Sequence, residues 1–500
     1  MAGEATKRVP IAAQLKTMGG NFWVANLIEA GERLAFFGVR AIVPLYMYGA
    51  DSVLHLSMTE KGVIFGIWAL LQCLVPMISG GYTDAYGYKK SMYLAFVINI
   101  IGYVCMASAN GFWSMLGAAM LVGTGTAIFK PPVQGAVAKS LNEGNSGLGF
   151  GLFYWIVNIG GFFAPMAAAV LRGNEAEPTW NYVFYGAAVV TALNFLPTLF
   201  LFKEPEIDVV AKAKSPFQVF ADSLTTLVRD RQMLRFLLII SGFWFMFMQL
   251  WDLLPNFISE WVDTRDVGSF LTAAAGTLGA DGASGFLTAE GATKPEIMIN
   301  IDSFAIILFV LPLSWFLGRY RMMGSLIIGI AVSVVGFVGT GTTNVGYICA
   351  LMIFVFAIGE IICSPKFSEY VGMTAPPDKK ALYMGYSNIP FAIGWAGGNF
   401  LSGPLYDALS SRTRFARDYL IEQLGMSREA AEALEPNQVM PTLVEKLGDG
   451  ADTFSATQVL WDANSPWVIW WILGVIGLTS LVGMILFNRR ARSAVDGTES

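Results

Sequence analysis

Residues 26–47, NLIEAGERLAFFGVRAIVPLYM, are long and apolar enough to cross a membrane, yet they carry Glu29, Glu32, Arg33 and Arg40. At about 100° of turn per residue, positions 29, 32, 33, 36 and 40 share one face of a helix, and Ala, Leu, Val and Ile fill the opposite face. Each charge at the bilayer centre costs roughly 2.5–3.5 kcal/mol, so the four cost roughly 10–14 kcal/mol. A dozen apolar neighbours at about −0.3 to −0.6 kcal/mol each return only about half of that. The charged stripe therefore faces a helix bundle or a wet cavity, not lipid. Glu29 and Arg33 are i,i+4 partners of the favourable polarity, so a static ion-pair lattice is the plain alternative to a functional site.

Twelve apolar segments are long enough to cross about 30 Å of hydrocarbon. They lie near 20–48, 60–82, 88–108, 111–138, 147–171, 180–202, 233–257, 297–317, 322–342, 345–372, 382–406 and 466–488. Only 14% of the 500 residues are charged, against about 25% in soluble domains. Basic residues gather on one side: Lys7, Arg8 and Lys16, then Lys89 and Lys90, Lys139, Lys212 to Arg231, Arg319 and Arg321, Lys379 and Lys380, and Arg489 to Arg492. By the positive-inside rule both termini are cytoplasmic. The expectation is an all-α multi-pass protein of the cell (plasma or inner) membrane. It comprises a six-helix bundle over 1–202, a cytoplasmic linker over 203–232 and a second six-helix bundle over 233–488. The linker contains the amphipathic stretch KSPFQVFADSLTTLVRDR. Extracellular insertions span 258–296 and 407–465, and a cytoplasmic tail spans 489–500. The second insertion reads as short helices with Ser427 as a cap. Residues 1–19 are polar and lack a signal-peptide pattern.

Several function classes fall away. Cys73, Cys105, Cys349 and Cys363 lie in apolar segments without CxxC or metal spacing, and His55 is the only histidine. No metal, cofactor or nucleic-acid partner is expected. No nucleophile–base pair or phosphate loop points to an enzyme.

Other polar groups sit within the spans. Lys130 of LVGTGTAIFKPPVQGAVAKS is followed by Pro131 and Pro132, which remove backbone hydrogen bonds and suggest a kink beside a cavity. It is a counter-ion for Glu29 or Glu32, or else it snorkels to the surface. Asn158 and Tyr154 share a face of the fifth span, where Asn158 serves a ligand or a helix–helix hydrogen bond. Glu360 lies deep in the tenth span, one turn before Ser364–Pro365, while Lys366 and Glu369 read as a surface pair. A cavity between two halves would be cationic at Arg40 and Lys130 and anionic at Glu360, which suits a zwitterion.

Six plus six spans with a central linker resemble a major facilitator, as does GGYTDAYGYKK at 80–90, where Gly80 and Gly87 allow close turns and Asp84 pairs or caps near a helix end. More closely, EAGERLAFFGVRA, GTGTAIFKPP, FYWIVNIGG, GEIICSP and GNFLSG resemble, in order, the proton-dependent oligopeptide transporter family. The resemblance implies alternating-access import of di- and tripeptides or similar zwitterions with protons, by a protein functioning as a monomer. It implies proton coupling by Glu29, Glu32, Arg33 and Lys130. It implies a substrate site of Arg40 and Lys130 for the carboxylate and Glu360 and Asn158 for the amine, completed by Phe36, Phe37, Tyr154, Asp302 and Ser364. The chain departs from the family pattern at several points. Phe36 and Phe37 replace two tyrosines, Leu74 a further one, and Met248 a glutamate. Asp252, one turn on, either substitutes for that glutamate as a second acid or is an extracellular gate residue. The eighth-span asparagine falls on Asp302 or Ser303. The tryptophan expected after Met384–Gly385 is missing, and Trp395 lies further along. The alternatives are a symporter for another small amphoteric or anionic metabolite, or a membrane sensor that does not transport.

Overall fold

The computed structural model describes residues 11–49, 52–142, 145–173, 179–205, 218, 225–277, 285–317, 321–376, 383, 385–448 and 450–496. Twelve long helices carry the fold among these residues. They are α1 Gly20–Met47, α2 Met58–Tyr86, α3 Tyr88–Ala107, α4 Phe112–Lys139, α5 Ser146–Arg172, α6 Trp180–Leu193 continued by Phe195–Phe200, α7 Arg231–Asp252, α8 Pro295–Leu317, α9 Met322–Gly341, α10 Gly346–Thr374, α11 Asn388–Leu409 and α12 Val468–Asp496. Nine are long and apolar enough on their own to cross a membrane. The other three, α1, α8 and α11, have 28, 23 and 22 residues, enough at about 1.5 Å rise each to span the hydrocarbon.

Local chemistry explains where the helices begin and end. Ser57 and Glu60 form a capping box at the start of α2. Gly87 separates α2 from α3 at φ 108°, a conformation that side chains rarely adopt. Glu204 accepts from the Tyr88 and Lys89 amides, placing a carboxylate at the positive end of α3. The side chain of Asp84 lies outside the described residues. α4 passes through Pro131 and Pro132, and α10 through Pro365, as continuous helices. α12 continues well past residue 488, so the expected tail is helical as far as Asp496. Its Arg- and Ala-rich end favours helix even beyond the hydrocarbon. Most of the expected amphipathic linker lies outside the described residues; its end docks through Leu227, buried in the core around α7.

The packing repeats itself. α1 packs on α5 and α6, α2 on α4, and α3 on α4 and α6. Six helices later, α7 packs on α11 and α12, α8 on α10, and α9 on α10 and α12. The cross-contacts α2–α11 and α5–α8 exchange under the same relation. The result is two six-helix bundles related by a pseudo-two-fold axis. The insertion after α11 forms the helices Arg412–Glu422, Arg428–Glu432, Pro436–Leu447 and Thr453–Asn464. Ser427 accepts from the Ala430 amide as the expected cap. Phe415, Leu420, Val439, Leu443 and Leu460 join the core of the second bundle.

The bundles touch closely at the end holding the C-terminus of α1 and the N-terminus of α2, the outer end in the expected orientation. A Cβ on Gly62 would lie 2.4 Å from the Asn399 carbonyl, and one on Gly403 2.3 Å from the Met58 carbonyl, so backbones meet there. Asp407 of α11 accepts from the Met58 and Thr59 amides at 3.0 and 2.8 Å and from the Thr59 hydroxyl at 2.7 Å. A carboxylate of one bundle thereby caps a helix of the other. Between α5 and α8, the Asn300 amide donates to the Phe162 carbonyl, and Arg172 pairs with Glu296 at 3.1 Å.

Gly403→Ala should keep this seam from closing. Spin labels placed by Trp113→Cys and Ser269→Cys, in a background without the exposed Cys105, should report a longer outer-end distance than in the parent. An unchanged distance would show that α2–α11 does not set closure.

Candidate functional site

The charged stripe of α1 is inside the protein: Glu29, Glu32, Arg33 and Arg40 are each at most 6% exposed. Close approach of α5 covers it, and Gly160 permits that approach, since a Cβ there would meet the Arg33 Cβ at 3.0 Å. The Arg33 Nε lies 3.1 Å from Glu29 Oε1, and the same guanidinium pairs with Glu32. The rings of Phe36 and Phe37 lie 5.2 and 5.5 Å from the guanidinium carbon, so these phenylalanines shelter the arginine. Lys130, reaching in from α4, interacts electrostatically with Glu29, Glu32 and Arg33 and with the Cys73 thiol. Among the described residues it has no salt-bridge partner within 4 Å. Tyr103 of α3, fully buried, closes the cluster beside Glu32 and Arg33.

Arg40 stands in a second cluster nearer the outer end. It forms a buried ion pair with Asp252 of α7, across the two bundles. Asp252 Oδ2 also accepts from Trp395 Nε1 and Asn399 Nδ2, each at 2.6 Å. Lys61 Nζ donates to the Asp252 carbonyl and to Asn256 Oδ1, both at 2.6 Å. Asn256 in turn donates to the Pro44 and Tyr48 carbonyls of the first bundle. The Arg40 guanidinium lies over Phe65, Trp68 and Trp395. Helices α1, α7 and α11 thus meet at one carboxylate, and α2 reaches the backbone carbonyl of the same residue through Lys61. Asp252 is placed at an inter-bundle closure, and Arg40 is occupied by it in this conformation. Lys61 and Asn256 had no distinguishing signal in the sequence; a lysine in the first turn of an apolar span reads as an end residue. Asn399 lies within GNFLSG.

The third cluster belongs mainly to the second bundle. Asp302 of α8 and Glu360 of α10 lie within hydrogen-bonding reach of each other, and both act electrostatically on the Tyr154 hydroxyl from α5. Asn158 donates to the Tyr154 carbonyl at 2.8 Å, a bond within its own helix. The Ser364 hydroxyl is buried without a partner. Lys366 and Glu369 pair at 2.8 Å near the inner end of α10. The predicted residues therefore fall into three groups: Glu29, Glu32, Arg33, Phe36, Phe37 and Lys130; Arg40 and Asp252; and Tyr154, Asn158, Asp302, Glu360 and Ser364.

Outside the membrane spans, Glu260 accepts from Tyr406 at 2.7 Å and Tyr48 at 3.4 Å, while Arg412 donates to its carbonyl at 2.8 Å. Burial pushes its carboxyl above the usual range, against the pull of Arg412. A cavity of about 670 Å³ between the insertions is lined by Glu260, Asp263, Arg265, Arg412 and Phe454.

The model of the Major Facilitator Superfamily matches residues 32–398. Multidrug resistance protein MdtH of Yersinia enterocolitica is 20% identical over 398 residues, covering 79% of this chain and 89% of that protein. Its Klebsiella pneumoniae counterpart is 22% identical over 400 residues, covering 79% and 88%. Among solved structures, the nucleoside transporter NupG aligns with a TM-score of 0.64 at 13% identity, covering 93% of this chain and 99% of that one. Tetrameric PepTSo2 aligns at 0.59 and 17%, covering 94% and 99%. A POT family transporter in complex with 5-aminolevulinic acid aligns at 0.60 and 15%, covering 89% and 96%. At these identities the likeness to solved structures is one of fold.

Asp252→Asn leaves Arg40 a buried cation without its carboxylate, a loss of about 3–5 kcal/mol when one partner of such a pair is removed. The thermal transition in detergent should fall, and the Arg40→Met/Asp252→Met double variant should recover most of it. A single variant as stable as the parent would deny the pair a role in closure.

Proposed function

The chain belongs to the Major Facilitator Superfamily of membrane transporters, and we propose that it is a proton-coupled symporter of small zwitterions, di- and tripeptides foremost. The observation that carries this reading is an imbalance in the first bundle. Two carboxylates, Glu29 and Glu32, share Arg33, while Lys130 beside them holds no ion pair of its own among the described residues. Such an arrangement has two stable fillings. With both acids ionised, their charge draws on Arg33 and Lys130 together. With one acid protonated, the surplus positive charge accepts a carboxylate from a substrate.

In the outward-open state, a proton on Glu32 or Glu29 frees Lys130 for the substrate carboxylate. The substrate amine lies toward Glu360, Asp302, Asn158 and Tyr154 on the other wall. Closure then re-forms the Arg40–Asp252 pair above the substrate, and opening below lets the proton leave. The acids reclaim Lys130, and the substrate is released inside. Arg40 meets a carboxylate directly only when Asp252 has let it go, so it alternates between gate and ligand. A membrane potential contributes roughly 2.3 kcal/mol per charge per 100 mV, about 50-fold accumulation for one net charge. The protein acts in the cell membrane as a monomer in this scheme. Export is a second reading, favoured by the relatives named multidrug resistance proteins.

Proteoliposome uptake of labelled dialanine, with and without an inward proton gradient, tests the proposal. Gradient-driven accumulation is expected. Glu32→Gln should abolish accumulation while leaving counterflow exchange. Full concentrative uptake by that variant would remove the coupling role. Lys130→Ala should lose binding of the carboxylate-bearing substrate by tenfold or more, and parent-like transport would defeat the carboxylate clamp. Accumulation under an outward gradient instead would favour export.

A further inference from the structure

Among the described residues, the second bundle carries a buried acid pair with no base beside it. Asp302 and Glu360 come from facing helices, α8 and α10, and are 1% and 9% exposed. Asp302 Oδ1 and Glu360 Oε2 are enclosed and, among the described residues, accept no hydrogen bond. Glu360 feels both the charge and a hydrogen bond of Asp302, and Asp302 feels the hydrogen bond of Glu360; among the described residues no lysine or arginine acts on either. The groups facing the pair are neutral. α5 presents the Tyr154 hydroxyl, and α10 itself presents the Cys363 thiol. α9, packed along α10, contains no titratable residue at all, and its buried polar side chains are the hydroxyls of Ser325, Ser333 and Thr340. At the inner end Lys366 is taken by Glu369. At the outer end Asp266 is taken by the Tyr347 amide.

Two carboxylates within hydrogen-bonding reach in a buried site cannot both stay ionised without a cation between them. A single proton removes the repulsion and supplies the missing donor, since a protonated carboxyl gives an O–H to its partner. We propose that Asp302 and Glu360 share one proton and form a proton-binding site in the second bundle, separate from the one around Glu32.

The proton and a substrate ammonium are alternatives at this site. With its proton the pair carries one negative charge. If a primary ammonium enters between the carboxylates and the proton leaves to water, two negative charges face one positive charge, and the net charge is unchanged. The exchange breaks one O–H bond, forms ammonium–carboxylate hydrogen bonds and moves no net charge into the protein interior. A site of this kind selects cationic amines, whether the rest of the molecule is a peptide or not. The inference therefore stands apart from the peptide reading above.

Infrared spectroscopy of the purified protein, without substrate, tests it through the C=O stretch of protonated carboxyl groups. The parent should keep a carboxyl band through pH 7 that titrates away only at higher pH. Asp302→Asn and Glu360→Gln, each close in shape to the residue replaced, should each move that titration down by about one pH unit or more, tenfold in proton affinity. The double variant gives the baseline, and Glu32→Gln should leave this component in place. A parent lacking the band at pH 7 would overturn the proposal without any variant being needed. So would an unchanged titration in Asp302→Asn, which would mean that Glu360 holds its proton alone. Failure of dialanine uptake would leave this result standing, so the two readings fail separately.

Discussion

Charge cannot be left in hydrocarbon, and four charges on one membrane helix dictate what must surround it. α1 meets that demand by turning its charged face wholly inward. Glycine at 160 brings α5 against Arg33, α4 contributes Lys130, and the second bundle contributes Asp252. The lower half of the stripe is neutralised within its own bundle. The upper half is neutralised across the bundles. One helix therefore belongs to both an internal ion cluster and an inter-bundle contact, and a change in either is felt along a single rigid element.

The two bundles share a contact pattern but not an electrostatic solution. In the first, acids and bases are intermixed, and aromatic faces cover the guanidinium. In the second, the acids stand alone among hydroxyls, a thiol and apolar side chains such as Ile306 and Ile361. Under the proposed transport of zwitterions, a ligand with opposite charges at its ends would find a different environment at each bundle.

Much of the fold was legible because hydropathy and helix length are properties of each segment alone. The twelve spans, the turn at Gly87 and the cap at Ser427 all follow from local chemistry. The stripe on α1 was legible for the same reason, since a helix face needs no partner to be recognised. What could not be read was pairing between distant segments. Arg40 offered the sequence no clue that it meets Asp252, and Lys61 looked like an end residue although it is buried among backbone acceptors. The helix of α12 outruns its span because hydropathy marks where the hydrocarbon stops, whereas helix propensity decides where the helix stops. The prolines of α4 and α10 suggested kinks, and each helix runs through its prolines without a break.

The α2 terminus borrows its cap from Asp407 of the opposite bundle, and this shapes how the outer seam comes apart. When the bundles separate, two amides, one hydroxyl and one carboxylate are returned to water, which satisfies all four. Each such bond carries a net of only about 1 kcal/mol, because water competes for both partners. A joint made this way is specific in register yet cheap to undo, more like a zip fastener than a weld, as a doorway that must open on every turnover requires.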